Sequence, residues 1–152
     1  MPSTSTLVDP RGLRFAATLT ALVLAIALVS GSGWILAGQT LVFAVGALAG
    51  PAASPYGRVY AWFVRPRLAA PARLEDAAAP RFAQTVGLVF GLVGLAGHVA
   101  ALELVTYVAV GAAFAAAFLN AAFGFCLGCE IYLTYRRFTP SHHPNPTTEV
   151  AS

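Results

Sequence analysis

Charged side chains are scarce in this chain of 152 residues, where they make up 10% of the total and hydrophobic residues make up 58%. A soluble domain typically carries about 25% charged residues, so water alone does not cover this surface. Lysine is absent, and all nine basic residues are arginines. These shortages exclude an ordinary soluble domain and predict a chain whose surface lies largely in lipid.

The net charge of +3 could suggest a nucleic-acid partner, but the positions of the arginines argue against one. None falls inside an apolar run, which is typical of the loops that orient a membrane protein. Runs such as TVGLVFGLVGLAG are apolar on every side, whereas the strands of a membrane barrel alternate. The sequence therefore predicts an all-α polytopic protein whose partner is the lipid bilayer.

Four apolar stretches predict four transmembrane helices, at about 15–30, 34–50, 82–98 and 104–125. Short turns at 30–33 and 98–103 would pair them into two hairpins. They form one domain over 11–137, between disordered ends at 1–10 and 138–152. Because no small-residue cleavage site follows the first stretch, we expect that span to be retained.

The polar connection at 51–81 contains Tyr56, Val59, Tyr60 and Phe63 at helical spacing, which predicts an interfacial amphipathic helix at about 55–67. The N-terminus, this connection and the tail hold all nine arginines, and the two short turns hold none. The arginine distribution predicts four spans with both termini and the connection in the cytoplasm, as in a plasma membrane protein.

Small and polar residues inside the spans predict close helix packing, within one chain or in a homodimer. Glycines recur at helical spacing as Gly46/Gly50, Gly87/Gly91 with Gly94, and Gly124/Gly128. Gln39, Gln84 and Asn120 would be costly if unpaired in hydrocarbon, so we expect each to form hydrogen bonds.

The two cysteines of the chain, Cys126 and Cys129, form a CxxC pair near the end of the last apolar run. That run, from Leu104 to Tyr135, is 32 residues and too long for one straight span, so we expect a helix break at Asn120 to Gly124. A new helix starting near Cys126 would favour its thiolate, making Cys126 the nucleophile and Cys129 the resolving thiol.

Glu130 follows Cys129 directly and allows two interpretations. A protonated carboxyl there could move the proton that thiol chemistry needs, whereas a charged one could pair with Arg136 or Arg137. Arg81, Gln84 and Asn120 are candidates for shaping the cytoplasmic mouth of the site.

Other roles for the cysteines stay open. Cysteine is also a small hydrophobic residue that membrane helices tolerate. Two thiolates with His142 and His143 would make a Cys2His2 set, and a dimer could pool four thiolates around zinc or an iron–sulfur centre. We predict no bound metal and no cofactor. No catalytic triad, phosphate loop or carboxylate pair occurs in the sequence, so whether the chain is an enzyme is left open.

Four segments carry a resemblance to a known family: VDPRGLRFAA, GPAASPYGRVY with VRPRL, PRFAQTVGLVFGLVG and LNAAFGFCLGCEIYL. Over about 8–137 the chain resembles the bacterial membrane family called domain of unknown function 4395. The resemblance implies a four-span inner-membrane protein whose signature residues are Pro80, Arg81, Phe82, Gln84, Asn120, Phe123, Gly124, Cys126, Gly128, Cys129 and Glu130. It also implies a setting beside thioredoxin-like or sulfurtransferase genes.

The leading hypothesis is a membrane dithiol protein that exchanges electrons or sulfur with a thioredoxin-like or rhodanese-like partner. Two others stay open: a non-catalytic scaffold that docks a soluble sulfur enzyme through the connection at 51–81, and a small carrier for a sulfur compound.

Overall fold

A computed structural model describes residues 6–139, and almost every element in it is helical. In chain order the elements are β1 (Leu7–Val8), α1 (Pro10–Ser30), α2 (Gly33–Ala49), a 3-10 turn (Pro51–Ala53), α3 (Pro55–Val59), a π-helical turn (Tyr60–Val64), a 3-10 turn (Arg65–Arg67), β2 (Glu75–Asp76), α4 (Ala78–Val99), α5 (Glu103–Phe123) and α6 (Leu127–Phe138). The all-α prediction is confirmed, and so is helical backbone throughout 55–67.

Local signals set the turn that joins α1 to α2. Gly31 ends α1 with φ 64°, a left-handed conformation that glycine adopts without steric cost. The side chain of Ser32 then accepts a hydrogen bond from the backbone N–H of Ile35 and so caps the start of α2. The chain therefore reverses within two residues.

Glycines bring α2 and α4 into close antiparallel contact. A Cβ atom at Gly91 would lie 2.6 Å from Thr40 Oγ1, and one at Gly87 would lie 2.7 Å from the Phe43 ring. In the same register, Gly46 faces the Gln84 side chain. These glycines work as expected for membrane helices, because they let the backbones approach.

The remaining contacts close the bundle. α1 packs against α5, and α4 packs against α5, where Gly94 faces Val110. The core is formed by residues from α1, α2 and α5: Leu24, Ala27, Leu36, Phe43, Val110 and Ala113.

The outside of the bundle is strongly apolar. Its exposed large side chains include Val29, Leu41, Leu48, Leu92, Leu104 and Val108. Three helices, Pro10–Ser30, Ala78–Val99 and Glu103–Phe123, are long and apolar enough to cross a bilayer, whereas Gly33–Ala49 is apolar but has only 17 residues. The chain is therefore a membrane protein, with lipid in contact with surfaces that water would not cover.

Two predicted boundaries are wrong. Residues 1–10 were expected to be disordered, but Leu7 and Val8 pair antiparallel with Asp76 and Glu75, and α1 already begins at Pro10. α4 begins at Ala78 rather than at 82, because Asp76 accepts a hydrogen bond from the Ala78 N–H and starts the helix early. The predicted disorder at 1–5 and 140–152 lies outside the described residues.

The arginines that make tertiary contacts gather at one end of the bundle. Arg81, at the start of α4, donates to the carbonyls of Ala47 and Leu48 at the end of α2. Arg14, near the start of α1, donates to the carbonyl of Ala121 at the end of α5. The opposite end, with the turns at 31–32 and 100–102, carries no arginine. We call the end of the bundle that carries Arg14 and Arg81 the arginine end.

Asp9 joins α1 to the π-helical turn at the arginine end. Its carboxylate caps α1 through the Arg11 N–H, pairs with the Arg11 guanidinium at 3.1 Å and accepts from the Tyr60 hydroxyl at 2.9 Å. Burial alone would raise the pKa of Asp9, but the hydrogen bonds from Arg11 and Tyr60 outweigh it and hold the pKa below its ordinary value. The charged carboxylate is therefore the form that stabilises the fold.

Replacing Asp9 with alanine is expected to lower the free energy of unfolding by about 1–2 kcal/mol, because the helix cap and the Tyr60 contact are both lost. Since the pKa is depressed, this contribution is present above the ordinary value of 3.8 and is lost as the pH falls through the lower folded pKa. Unfolding in mixed micelles measures it. Tyr60→Phe is the control, because it removes one hydrogen bond and keeps the cap; an Asp9→Ala variant no less stable than Tyr60→Phe would contradict the prediction.

Candidate dithiol site

The helix break next to the cysteines is confirmed. Gly124 ends α5 with φ 67°, and its N–H donates to the Asn120 carbonyl at 3.0 Å. The Phe125 N–H also turns back, to the Leu119 carbonyl at 3.4 Å. This is a left-handed helix C-cap, and it fits glycine because other residues adopt positive φ only at a cost.

Cys126 is the N-cap residue of α6. Its backbone is extended, with φ −90° and ψ 101°, and its Sγ accepts a hydrogen bond from the Cys129 N–H at 3.3 Å. The sulfur thus takes the position that a serine or aspartate oxygen takes at other helix starts. Such a site stabilises negative charge, because free N–H groups and the helix dipole converge there.

Ionisation of Cys126 is favoured by its neighbours. A hydrogen bond from the Cys129 side chain contributes most, opposed by partial burial and helped by the N–H groups of Cys129 and Gly128; together they lower the pKa of Cys126 to about 7. The charge of Glu130 acts in the opposite direction. Near neutral pH, a large share of Cys126 is therefore thiolate.

The second thiol is held in its protonated form. The hydrogen bond to Cys126 raises the pKa of Cys129 most, and burial raises it further. The negative charges of Cys126, Glu75 and Glu130 add to this effect. Both cysteines are free and partly buried, so the pair combines a nucleophilic sulfur with a protonated neighbour.

α6 folds back against the start of α4. A Cβ atom at Gly128 would lie 2.6 Å from the Ala83 Cβ and 2.7 Å from the Ala83 Cα. The rings of Phe82 and Tyr132 pack with centroids 5.7 Å apart. Glycine between the two cysteines therefore lets the dithiol turn lie directly on α4.

The other predicted site residues lie near the start of α4 and the end of α5. Arg81 bonds the last carbonyls of α2, and Gln84 packs against Gly46, so both contact α2 while Phe82 and Ala83 meet α6. Asn120 contributes its backbone carbonyl to the helix cap.

Within residues 6–139, the ion pair considered for Glu130 is not found, and the hydrogen bonding expected of Gln39 and Gln84 is confirmed for Gln39. Glu130 is exposed in the first turn of α6 and makes no ion pair with Arg136 or Arg137. The salt bridge found within the described residues joins Arg11 to Asp9. Gln39 accepts from the Tyr56 hydroxyl at 2.7 Å, but its Nε2 and the Oε1 of Gln84 are buried without a partner.

The sequence reasoning missed Arg14 and Glu75. The guanidinium of Arg14 lies against the break, with its Nε 3.8 Å from a Cβ built at Gly124, and it satisfies the free Ala121 carbonyl at 3.3 Å. Glu75, on β2, brings a negative charge towards Cys129. An arginine close to a predicted span start could have suggested the first, but no local pattern indicates the second.

A metal site finds no support in the part of the chain that is described. Within residues 6–139, His, Cys, Asp and Glu side chains do not gather in groups of three or more. His142 and His143 lie outside this range.

The architecture and the site define a class: a helical membrane protein with a CxxC dithiol at the start of a helix that follows its last long apolar helix. The chain belongs to the family described as domain of unknown function (DUF4395), which matches residues 8–137. No curated protein and no solved structure matched the chain.

Proposed function

We propose that the protein is a membrane dithiol that exchanges electrons with a thioredoxin-like partner, or sulfur with a rhodanese-like one. The observation that carries this proposal is the position of Cys126 Sγ at the start of α6, where the Cys129 N–H donates to it at 3.3 Å. A sulfur in this position is partly ionised at neutral pH and is backed by a second thiol one helical turn away.

The exchange proceeds in two displacements. The Cys126 thiolate attacks one sulfur of the partner's disulfide, forming a mixed disulfide and expelling the other partner sulfur as a thiolate that takes up a proton. Cys129 then loses its proton and attacks Cys126 Sγ, which releases the second partner sulfur as a thiolate that takes up this proton. Two electrons have passed from the pair to the partner, and Cys126 and Cys129 are joined.

The bundle would hold this pair at the inner face of a bacterial plasma membrane. We propose four spans in two hairpins. They are the three long apolar helices and α2, whose 17 residues extend only about 26 Å. Its neighbours α1 and α4 are longer and pack against it, which supports the assignment. The arginine end would face the cytoplasm together with both termini.

Mixed-disulfide trapping tests the proposal. In nanodiscs, reduced Cys129→Ser is expected to accumulate a one-to-one adduct with an oxidised thioredoxin-fold protein, because the resolving sulfur is gone. The wild type should instead release reduced partner and gain an internal disulfide, both visible by mass spectrometry. Cys126→Ser is the matched control and should form little adduct.

Two outcomes would count against the proposal. If neither variant forms an adduct with a disulfide or a persulfide donor, the pair is not an exchanging dithiol. Full cellular activity of Cys126→Ser would favour the scaffold, in which the membrane domain only docks a soluble sulfur enzyme.

A further inference from the structure

An exposed patch of apolar and basic side chains lies on the helical segment at 55–67, and we call it the aromatic-arginine patch. Its apolar members are Val59, Trp62 and Phe63, which are 41%, 75% and 59% exposed. Its basic members are Arg58, Arg65 and Arg67, which are exposed as well. Large aromatic side chains are rarely left open to water in such a group.

The other side of the same segment is fixed to the bundle. Tyr60 is buried against Gly12, and its ring packs on Phe15 with centroids 5.8 Å apart. The Tyr56 hydroxyl donates to Gln39 inside the bundle at 2.7 Å. Because these two tyrosines face inward, the aromatic-arginine patch is held facing outward.

The basic and apolar members form one surface. Arg67 Nη1 donates to the carbonyl of Phe63 at 2.9 Å, which brings the guanidinium beside an exposed aromatic residue. No aspartate or glutamate occurs between residues 51 and 74, so the three arginines of the patch have no acidic neighbour in their own segment. A surface of this kind attracts negative charge at the level where water meets hydrocarbon.

We propose that the aromatic-arginine patch binds the headgroups of anionic phospholipids in the membrane that holds the bundle. The patch belongs to the arginine end, where α1 begins and α2 ends, so it reaches the height of the headgroups on that side. Trp62 and Phe63 would enter the boundary between headgroups and acyl chains, and the guanidinium groups would contact the phosphates. This proposal is independent of the dithiol.

The two tryptophans of the chain make the test specific. Trp34 is 90% exposed, so Trp34→Phe removes no buried contact and leaves Trp62 as the sole tryptophan, whose indole is excited selectively at long wavelength. The protein is placed in mixed bilayers in which either the anionic or the zwitterionic phospholipid carries bromine, which quenches nearby indole fluorescence. Each arginine close to an anionic surface favours it by a factor of about five, so anionic lipid should be enriched around Trp62 by at least that factor at low salt.

Charge-matched variants separate this patch from general attraction. Arg65→Gln with Arg67→Gln should bring the enrichment close to the bulk lipid ratio. Arg136→Gln with Arg137→Gln removes the same charge from the exposed end of α6 and should leave the enrichment at Trp62 unchanged. Raising the salt concentration should weaken the enrichment, because ions screen these contacts.

Three results would overturn the proposal. Equal quenching by the two brominated lipids would mean that the patch does not select charge. Absence of quenching by either would mean that it faces water or another protein rather than the membrane. The same enrichment around Trp34 in a Trp62→Phe variant would mean that the effect is not specific to the patch.

Discussion

Brief alkylation of the reduced protein at pH 7 is expected to label Cys126 at least about ten times faster than Cys129. Only the thiolate reacts, and the pKa of Cys126 is lowered to about 7, while that of Cys129 is raised above its ordinary value. About half of Cys126 is then ionised at neutral pH, against a few per cent or less of Cys129. Mass spectrometry of chains that carry one label measures the ratio.

The pH dependence of the Cys126 labelling rate is a second test of the pKa of this thiol. The labelling rate of Cys126 should rise with pH and reach half of its plateau near pH 7, rather than near 8.5 as for an unperturbed cysteine. Glu130→Gln should move this midpoint to lower pH, because the Glu130 charge raises the pKa of Cys126. Equal labelling of the two cysteines, or a midpoint near 8.5, would show that the start of α6 does not activate its sulfur.

The helix break shows what the sequence could predict about this site. The apolar run from Leu104 to Tyr135 is longer than a bilayer is thick, and Gly124 is the residue that most easily takes a left-handed turn. Length and local conformation therefore predict that α6 starts at the cysteines. The sequence distance between Cys126 and Cys129 then fixes the hydrogen bond of the cap.

Contacts between residues far apart in the sequence could not be predicted from segment length and local conformation. The pairing of Leu7 with Asp76 joins residues far apart in a two-residue strand, too short to leave an alternating pattern. The faces of α4 were also ambiguous, because it is apolar all round. The contacts of Arg81 and Gln84 with α2 therefore could not be predicted.

At the π-helical turn Tyr60–Val64, tertiary packing changes the local structure that the sequence predicts. Regular helical spacing predicts one amphipathic helix through 55–67, with Tyr56, Val59, Tyr60 and Phe63 on one face. The wider turn instead keeps Tyr60 buried while Trp62 and Phe63 stay exposed. Tyr60 is buried because it packs on α1, whereas Trp62 and Phe63 have no such contact. The local sequence does not predict this difference in burial.

Gly128→Ala is expected to lower the free energy of unfolding by up to about 3 kcal/mol, because the added methyl group has no space against α4. The new Cβ would lie 2.6 Å from the Ala83 Cβ and 2.7 Å from its Cα, so α6 must move away as a whole. That movement would separate Phe82 from Tyr132 and expose Cys129. Unfolding in micelles and the labelling rate of Cys129 measure the two effects, and the Cys129 rate should rise.

A second substitution, at Ala83, tests whether Gly128→Ala acts through crowding against α4 or through reduced backbone flexibility at Gly128. Ala83→Gly removes the Ala83 Cβ but leaves the Cα, 2.7 Å from the new methyl carbon, so Gly128→Ala combined with Ala83→Gly should recover only part of the stability and of the slow labelling of Cys129. Leu127→Ala, at the exposed neighbouring position, is the control and should leave α6 in place. If Gly128→Ala is as stable as the wild type and its Cys129 is labelled as slowly, α6 does not depend on close contact with Ala83. The glycine between the cysteines would then serve the chemistry of the turn rather than its attachment to the membrane bundle.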